Sequence, residues 1–381
     1  MADADDAPLA VLELTRALIA RRSLTPVDDG CCALIGERLQ RIGFELEYLD
    51  AEGVTNLWAS CGHGAPLTIL AGHTDVVPTG PLEQWDSNPF EPTIRDGLLY
   101  GRGAADMKSG LAAMVTAVER LHASGGWRGT IAFLITSDEE GAARHGTRHA
   151  VEQLKARGLV PDYAIVGEAS SHLQLGDRIV TGRRGSLGCN LRVFGKQGHV
   201  AYPQRADNPI HRLMPALAEL VATEWDHGNA AFPPTSLQIS NVHAGTGANN
   251  VIPGSAEVIF NFRYCTESTA ESLKARVAAV LDRHLPRYTA DWWHSGEPFL
   301  TRHGALISAA EAVIGEVTGL KPEHFTGGGT SDARFIAPWG AEVVEIGPIN
   351  DSIHKLNEHV RVADLDRLAQ IYEGILRRLL V

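Results

Sequence analysis

The stretch GTIAFLITSDEEG, residues 129–141, is a long apolar run that ends abruptly in three acidic residues. An apolar run of this length between polar residues predicts a strand that is buried in the middle of a sheet. Two more runs have the same form: LTILAG leads into His73, and DYAIVG leads into Glu168. Because open α/β sheets bind ligands beyond the carboxyl ends of their strands, we expect these polar residues to converge in one crevice.

Helical patterns alternate with the predicted strands through about residue 180. Apolar residues recur at helical spacing in residues 8–21, 31–44 and 109–125. This alternation predicts an α/β fold with a parallel or mostly parallel sheet.

The pattern changes after residue 180. Strand and helix patterns between residues 181 and 293 follow the order β-α-β-β-α-β, which is the split βαβ arrangement of a ferredoxin-like domain. From residue 294 the chain returns to α/β character. We therefore predict one domain formed by residues 1–180 and 294–381, into which a small domain of residues 181–293 is inserted.

Composition argues against several classes of protein. The 34 basic and 46 acidic residues give a net charge of −12, which disfavours a nucleic-acid partner. The acidic start MADADDAP and the lack of an 18-residue apolar run argue against a signal peptide and a membrane segment. The five cysteines show no CxxC spacing, so we expect reduced thiols and a cytoplasmic protein.

Two of the polar segments offer a histidine and carboxylates for a metal. His73 and Asp75 are two residues apart, so on an extended strand their side chains point the same way. That spacing suits an imidazole ligand held by a carboxylate behind it, although an ordinary polar strand end has the same pattern. Asp106 lies in the glycine-rich stretch GRGAADMKSG, where it either caps the helix that follows or bridges two cations.

The remaining acidic and histidine residues complete a possible two-metal set. Glu139 and Glu140 are adjacent, so their side chains should diverge, with one binding metal and the other acting as a general base; a solvated acidic pair is the alternative. Glu168 fits a carboxylate ligand at a strand end, and His354 fits either a second imidazole ligand or a structural histidine. With Asp106 shared, the set suits two zinc ions, for which cobalt or manganese can substitute.

With these residues identified, the chain resembles the M20 family of dinuclear zinc amidohydrolases and peptidases over nearly its whole length. The resemblance implies a metallopeptidase-like catalytic domain and an inserted dimerisation domain, so that the protein forms a homodimer. Besides the metal segments, the motifs that carry the resemblance are GRRGSL (182–187), GKQGHVAYP (195–203), GTGANNVIP (245–253), NFRY (261–264), GGGTSDARF (327–335) and GPINDSIHKLNE (347–358).

The resemblance also assigns roles within the metal segments. It implies that Asp106 bridges the two zinc ions, that Glu139 is the general base and that Asp75 is the partner of His73. In the family, one further carboxylate and one histidine complete each metal site. The metal ligands that it implies are His73 with Glu168 for one ion, His354 with Glu140 for the other, and Asp106 for both.

The motifs outside the metal site imply a subgroup that hydrolyses the amide bond of a small, anionic acyl-amino acid. An acidic protein needs local positive charge to bind such a substrate, and arginine can fork onto carboxylates. The resemblance implies that His199, on the inserted domain, reaches the active site of the partner subunit and stabilises the oxyanion. The substrate-binding residues that it implies are Arg183, Tyr202, Asn249, Asn250, Arg263, Thr330, Arg334 and Asn350.

Three alternatives stay open on the sequence. The first keeps the chemistry and changes the substrate, as in an acetylornithine deacetylase, an aminoacylase or a metal-dependent carboxypeptidase. The second is a non-catalytic binding or scaffold protein on the same fold, although such a protein commonly lacks a ligand or the base. The third is a two-metal phosphoesterase, because clusters of histidines and carboxylates also serve phosphoryl transfer.

Overall fold

The computed structural model describes residues 7–381, which divide into two compact units. The first unit consists of residues 7–182, 301–325 and 331–381, and the second of residues 183–300 and 326–330. The second unit therefore extends past the boundary expected at residue 293, because its last long strand continues to Gly296. A short glycine-rich segment from the later part of the chain also belongs to it.

The strands are short and distributed over the whole chain. In chain order they are β1 (Glu45–Tyr48), β2 (Asn56–His63), β3 (Leu67–His73), β4 (Thr93–Arg95), β5 (Leu98–Tyr100), β6 (Gly129–Thr136), β7 (Tyr163–Val166), β8 (Arg178–Val180), β9 (Gly182–Arg183), β10 (Gly185–Phe194), β11 (Gly198–His199), β12 (Ser236–Ala244), β13 (Val251–Ile252), β14 (Ser255–Tyr264), β15 (Tyr288–Gly296), β16 (Phe299–Leu300), β17 (Glu323–Phe325), β18 (Glu342–Glu345) and β19 (His359–Arg361).

The helices lie between these strands in both units. They are α1 (Ala7–Ile19), α2 (Cys31–Arg41), α3 (Ser109–Ala123), α4 (Thr147–Ala156), α5 (Pro209–Ala222), α6 (Ala270–His284), α7 (Ala305–Thr318), α8 (Ala333–Ile336) and α9 (Val362–Leu380). Among residues 7–381, no helix combines the length and the apolar character needed to cross a bilayer.

The first unit is built on an eight-stranded sheet with the order β1-β2-β6-β3-β7-β18-β8-β17. The central strands β6, β3, β7 and β18 are parallel, as are β8 and β17. Strands β1 and β2 are joined by a short connection and pair antiparallel, and β2 also pairs antiparallel with β6. The α/β prediction is confirmed, and the sheet is mixed with a parallel centre.

The core of the first unit explains why its central strands are so apolar. Every residue of β3 is buried, and helix α3 is packed against α1 and α9. Leu111, Phe133 and Ile371 are among the fully buried side chains of this core. Each such side chain stabilises the fold by about 1.5–3 kcal/mol relative to an exposed one. This packing makes the strand ends a rigid support for the polar residues that follow them.

The second unit has the predicted split βαβ order β10-α5-β12-β14-α6-β15. Its four strands form an antiparallel sheet with the order β12-β14-β10-β15, and helices α5 and α6 pack against each other. Along β14 the buried residues alternate with more exposed ones, and Val258, Phe260 and Phe262 point into the core. One face of this sheet is therefore covered and the other is not.

Candidate metal centre

Three strands of the first unit end at the same edge of the sheet and carry polar residues there. In the parallel pair β3–β6, His73 is opposite Thr136, two residues before Asp138. In the parallel pair β3–β7, Ala71 is opposite Val166, two residues before Glu168. The register therefore brings the polar residues that follow the three apolar runs to one place, as the sequence predicted.

Asp106 reaches this place from an irregular turn. Residues Ala104–Lys108 form a helical turn in which Asp106 itself has an extended backbone, with φ −120° and ψ 95°. Helix α3 begins only at Ser109 and has no side-chain cap. Asp106 therefore does not cap this helix, and its carboxylate points toward the two histidines.

A close contact between two glycines holds this turn beside the strand that leads to Glu168. A Cβ atom on Gly110 would lie 2.3 Å from the main-chain oxygen of Gly167, which is shorter than any ordinary contact. The start of α3 and the end of β7 can approach this closely only because neither residue has a side chain. These two glycines therefore allow the segments that carry Asp106 and Glu168 to lie close together.

The structure assembles two groups of possible metal ligands, each with one histidine. In the first group, His73 Nε2 lies 3.2 Å from Asp106 Oδ1 and 3.7 Å from Glu168 Oε1. In the second group, His354 Nε2 lies 2.9 Å from Glu140 Oε1 and 3.2 Å from Asp106 Oδ2. The two histidines thus contact different oxygens of the same carboxylate, and the pairing is the one that the family resemblance implies.

These groups suit zinc in both spacing and chemistry. In a tetrahedral site with metal–ligand bonds of about 2.0–2.1 Å, neighbouring ligand atoms are about 3.4 Å apart. The separations of 2.9–3.7 Å in the two groups match that spacing. Burial, and then the charge of Asp106, raises the pKa of Glu168 well above its ordinary value. Such crowding of carboxylates is relieved when cations neutralise them.

His73 is oriented by a main-chain carbonyl group. Its Nδ1 atom lies 2.8 Å from the carbonyl oxygen of Asp75 and 3.6 Å from the nearer carboxylate oxygen of the same residue. A carbonyl oxygen only accepts hydrogen bonds, so Nδ1 carries a proton, and this hydrogen bond directs Nε2 toward Asp106. The Asp75 carboxylate instead accepts the main-chain N–H groups of Glu139 and Glu140, at 3.3 and 3.1 Å.

Glu139 and Glu140 point to different neighbours, as predicted for one base and one ligand. Glu140 contacts His354, whereas Glu139 Oε1 lies 3.4 Å from Nη1 of Arg334. Burial, followed by the charge of Asp332, raises the pKa of Glu139 to about 8. A carboxylate with a raised pKa is suited to accept and return a proton near neutral pH. The roles themselves stay predictions.

The pKa shifts at this site predict how the stability of chelator-treated protein depends on pH. Contacts with Asp106 and then Glu140 raise the pKa of His354 from 6.5 to about 10. Its contribution to stability is complete below pH 6.5 and is lost as the pH rises through 10. Ionising Glu139, whose pKa rises from 4.5 to about 8, also costs stability between those values. Without metal the protein should therefore melt at a lower temperature at pH 9 than at pH 6.

Thermal melts at pH 6, 7.5 and 9, with chelator and with two equivalents of zinc, check this expectation. Zinc should stabilise the protein most at pH 9, because metal binding displaces protons from the ligands. The variant Glu139→Gln removes one of the shifted groups and should flatten the dependence in chelator. A chelated protein as stable at pH 9 as at pH 6 would contradict this electrostatic description.

The predicted substrate residues are divided between the two units. Arg334 and Asn350 belong to the first unit, where Arg334 contacts Glu139 and the main-chain N–H of Asn350 donates to the carbonyl oxygen of Ser171 at 3.0 Å. The other seven residues predicted to act on substrate belong to the second unit. They are Arg183, His199, Tyr202, Asn249, Asn250, Arg263 and Thr330.

Within the second unit these residues have different surroundings. Arg183 is buried, and its Nη1 atom donates to the carbonyl oxygens of Gly327 and Gly329 at 3.1 and 3.3 Å. His199 is exposed, and its Nδ1 atom accepts the main-chain N–H of Ala201 at 3.0 Å. The ring of Tyr202 is 5.9 Å from that of His199. That hydrogen bond leaves Nε2 of His199 as the nitrogen that can face a ligand.

The remaining predicted residues of the second unit lie on a loop, a strand and a short segment. Asn249 and Asn250 are exposed, and the carbonyl oxygen of Asn250 accepts the main-chain N–H of Val200 at 3.1 Å. Arg263 is part of β14, where its neighbours across the strands are serines of β10 and β12. Thr330 is the last residue of the glycine-rich segment that belongs to this unit.

The sequence reasoning missed several buried carboxylates that support the site. Glu358 is 1% exposed and lies against the Asp106 turn. Asp138 accepts the main-chain N–H groups of residues 143, 144 and 145, which fold the loop after Glu140. Asp332 is a further buried acid and accepts a hydrogen bond from Thr147. Burial raises the pKa of Asp332 to about 6. Of these three carboxylates, only Asp138 could have been found from the sequence, because it closely follows an apolar run that predicts a buried strand.

The fold and this site define the class of protein. Residues 69–378 match the sequence profile of peptidase family M20/M25/M40, so the chain belongs to that family. Two relatives named succinyl-diaminopimelate desuccinylase, from Thioalkalivibrio sulfidiphilus and Alkalilimnicola ehrlichii, are each 60% identical to this chain. Each alignment covers 97% of this chain and 99% of the relative.

Solved structures of lower sequence identity share the fold. An M20-family metallo-carboxypeptidase from Sulfolobus solfataricus superposes with a TM-score of 0.82 at 18% identity, covering 97% of this chain and 98% of the other. A dinuclear metal-binding M20 peptidase from Bacillus subtilis gives 0.75 at 17% identity, covering 98% and 99%. These likenesses support the architecture, including the inserted domain.

Proposed function

We propose that the protein is a two-zinc amidohydrolase that converts N-succinyl-LL-2,6-diaminopimelate to succinate and LL-2,6-diaminopimelate. This reaction would serve lysine biosynthesis through the diaminopimelate pathway, in the cytoplasm. The observation that carries the chemistry is that His73 and His354 contact opposite oxygens of Asp106, each with one further carboxylate beside it. The names of the 60% identical relatives support the choice of substrate.

The proposed ligands for one zinc ion are His73, Glu168 and Asp106, and those for the other are His354, Glu140 and Asp106. Cobalt or manganese should substitute, because both accept the same nitrogen and oxygen ligands. Two ions bound there would polarise the amide carbonyl of the substrate and lower the pKa of the attacking water.

Glu139 is proposed to move the proton. Its carboxylate accepts a proton from the attacking water as the oxygen of that water bonds to the amide carbon. The same proton then passes to the leaving nitrogen as the C–N bond breaks, which releases succinate and the free amine. Arg334, 3.4 Å away, holds the carboxylate in place and offers a positive charge beside it.

The arginines and amides are proposed to hold the substrate. Arg183, Arg263 and Arg334 supply positive charge for its carboxylates, which a chain of net charge −12 needs locally. Neutral hydrogen bonds are assigned to Tyr202, Asn249, Asn250, Thr330 and Asn350. We further propose that residues 181–293 form a dimerisation domain of a homodimer, and that His199 stabilises the oxyanion in the active site of the partner subunit.

A panel of acylated amino acids tests the substrate. The zinc-loaded protein should cleave N-succinyl-LL-diaminopimelate with a kcat/KM at least about 100-fold above that for N-acetylornithine, because a site built to pair a terminal carboxylate discriminates against an analogue without one. Succinate release and free amine are measured in parallel, with chelator-treated protein as the blank. Faster cleavage of N-acetylornithine would overturn the substrate assignment and leave the metal chemistry standing.

A further inference from the structure

We propose that Glu358 is a positioning residue that sets the orientation of the bridging carboxylate Asp106. This inference rests on the proposed function, because it assumes that Asp106 binds both metal ions. Glu358 is not among the residues proposed to bind metal, to act as the base or to bind the substrate.

Both oxygens of the Glu358 side chain are used by the turn that carries Asp106. Oε1 accepts the main-chain N–H groups of Ala105 and Asp106, at 2.9 and 3.0 Å. Oε2 accepts the main-chain N–H of Gly103 at 2.9 Å and a hydrogen bond from Nη1 of Arg102 at 2.8 Å. One carboxylate therefore binds three main-chain N–H groups within residues 103–106.

This turn needs an external partner because its own backbone is irregular. Asp106 has φ −120° and ψ 95°, so the segment does not form the regular hydrogen bonds of a helix. Buried N–H groups without an acceptor are costly, and Glu358 supplies the acceptors at a position that is 1% exposed. Rotation of the Asp106 backbone would break these hydrogen bonds. Glu358 thereby restricts where the Asp106 carboxylate can point.

Glu358 also joins the turn to the second histidine. His354 is four residues earlier in the same segment, and its backbone lies in the left-handed region with φ 59°. Non-glycine residues rarely adopt this conformation, and they cluster at functional sites. Because Glu358 anchors the end of this segment on the Asp106 turn, it fixes the separation of His354 Nε2 and Asp106 Oδ2, which is 3.2 Å.

The variant Glu358→Gln tests the role with cobalt(II) as the probe. An amide of the same size has an NH₂ group in place of one acceptor oxygen, so it faces N–H donors whichever way it is turned. We expect the affinity for the second cobalt ion to fall about 10–100-fold, as for other groups that orient metal ligands. We also expect the magnetic coupling between the two ions, which a shared carboxylate transmits, to weaken in the electron paramagnetic resonance spectrum.

A second variant and a control keep the test decisive. Arg102 is 2% exposed and would be left with an uncompensated charge in Glu358→Gln. The double variant Arg102→Met with Glu358→Gln removes that charge and should show the same loss of affinity and coupling. Asp226→Asn is the matched control, because Asp226 also accepts main-chain N–H groups, from Gly228 and Thr235 in the second unit. It should keep both cobalt properties of the unchanged protein.

The outcomes separate this inference from the proposed function. If the unchanged protein binds fewer than two cobalt ions, the proposed metal centre itself is wrong. If it binds two coupled ions and either folded Glu358 variant retains the same second affinity and the same coupling, the positioning role is wrong. Loss of both properties in the Glu358 variants, with Asp226→Asn unaffected, supports it.

Discussion

Replacing Glu139 by alanine should lower kcat for the succinylated substrate by about 10²–10⁴-fold while the protein keeps two zinc ions. The physical reason is that Glu139 contacts Arg334 and neither histidine, so its removal takes away the proton carrier and leaves both ligand groups complete. Initial rates of succinate release and metal analysis of the same preparation measure the two effects together.

Two further variants make this result specific. Glu139→Gln keeps the size of the side chain and removes its basicity, so it should be nearly as inactive as Glu139→Ala. Glu47→Gln removes a carboxylate from an exposed ion pair with Arg157, 2.6 Å away, and should leave the rate unchanged. An active Glu139→Ala protein, or one that has lost a zinc ion, would remove Glu139 from the role of base.

Replacing Asp106 by alanine should reduce the activity further than any other single change at the site, because it takes one ligand from each metal ion. Among the predicted ligands, Asp106 alone contacts both histidines, and it does so through a different oxygen for each, at 3.2 Å. We expect less than one zinc ion to remain per chain after desalting, with activity below that of Glu139→Ala. Metal analysis after gel filtration and the succinate assay measure this.

The matched comparison is His354→Ala, which removes a ligand from one group alone. That variant should lose one zinc ion and retain the other, held by His73, Asp106 and Glu168. If Asp106→Ala retained two ions, or if the two variants had the same metal content, the shared carboxylate would not be what links the two groups.

The sequence predicted the part of the site that follows from the regular geometry of strands. Apolar runs that end at His73, Asp138 and Glu168 become neighbouring strands, and the parallel register aligns their ends. The split βαβ order of the second unit could be predicted equally well, because each of its strands and helices has a clear hydrophobic periodicity. The antiparallel pairing of β1 and β2 at one edge of the large sheet could not be predicted, since the direction of pairing depends on the connections between strands rather than on their hydrophobic pattern.

The sequence did not predict the positions of residues that an irregular backbone holds in place. Nothing in the spacing of GRGAADMKSG shows that Asp106 has an extended backbone, or that Glu358, some 250 residues later, accepts the N–H groups of that turn. In the same way, the H-x-D spacing predicted a carboxylate behind His73, whereas the nearest acceptor is the main-chain oxygen of Asp75. Hydrogen bonds between segments distant in sequence depend on the completed packing, and a local pattern does not encode them.

The most direct test of the central claim is anomalous X-ray scattering at the zinc absorption edge from crystals of the zinc-loaded protein. We predict two peaks about 3.5–4 Å apart on either side of the Asp106 carboxylate. One should lie among His73, Asp106 and Glu168, and the other among His354, Asp106 and Glu140. A single peak, or peaks away from Asp106, would contradict the two-metal centre proposed for this protein.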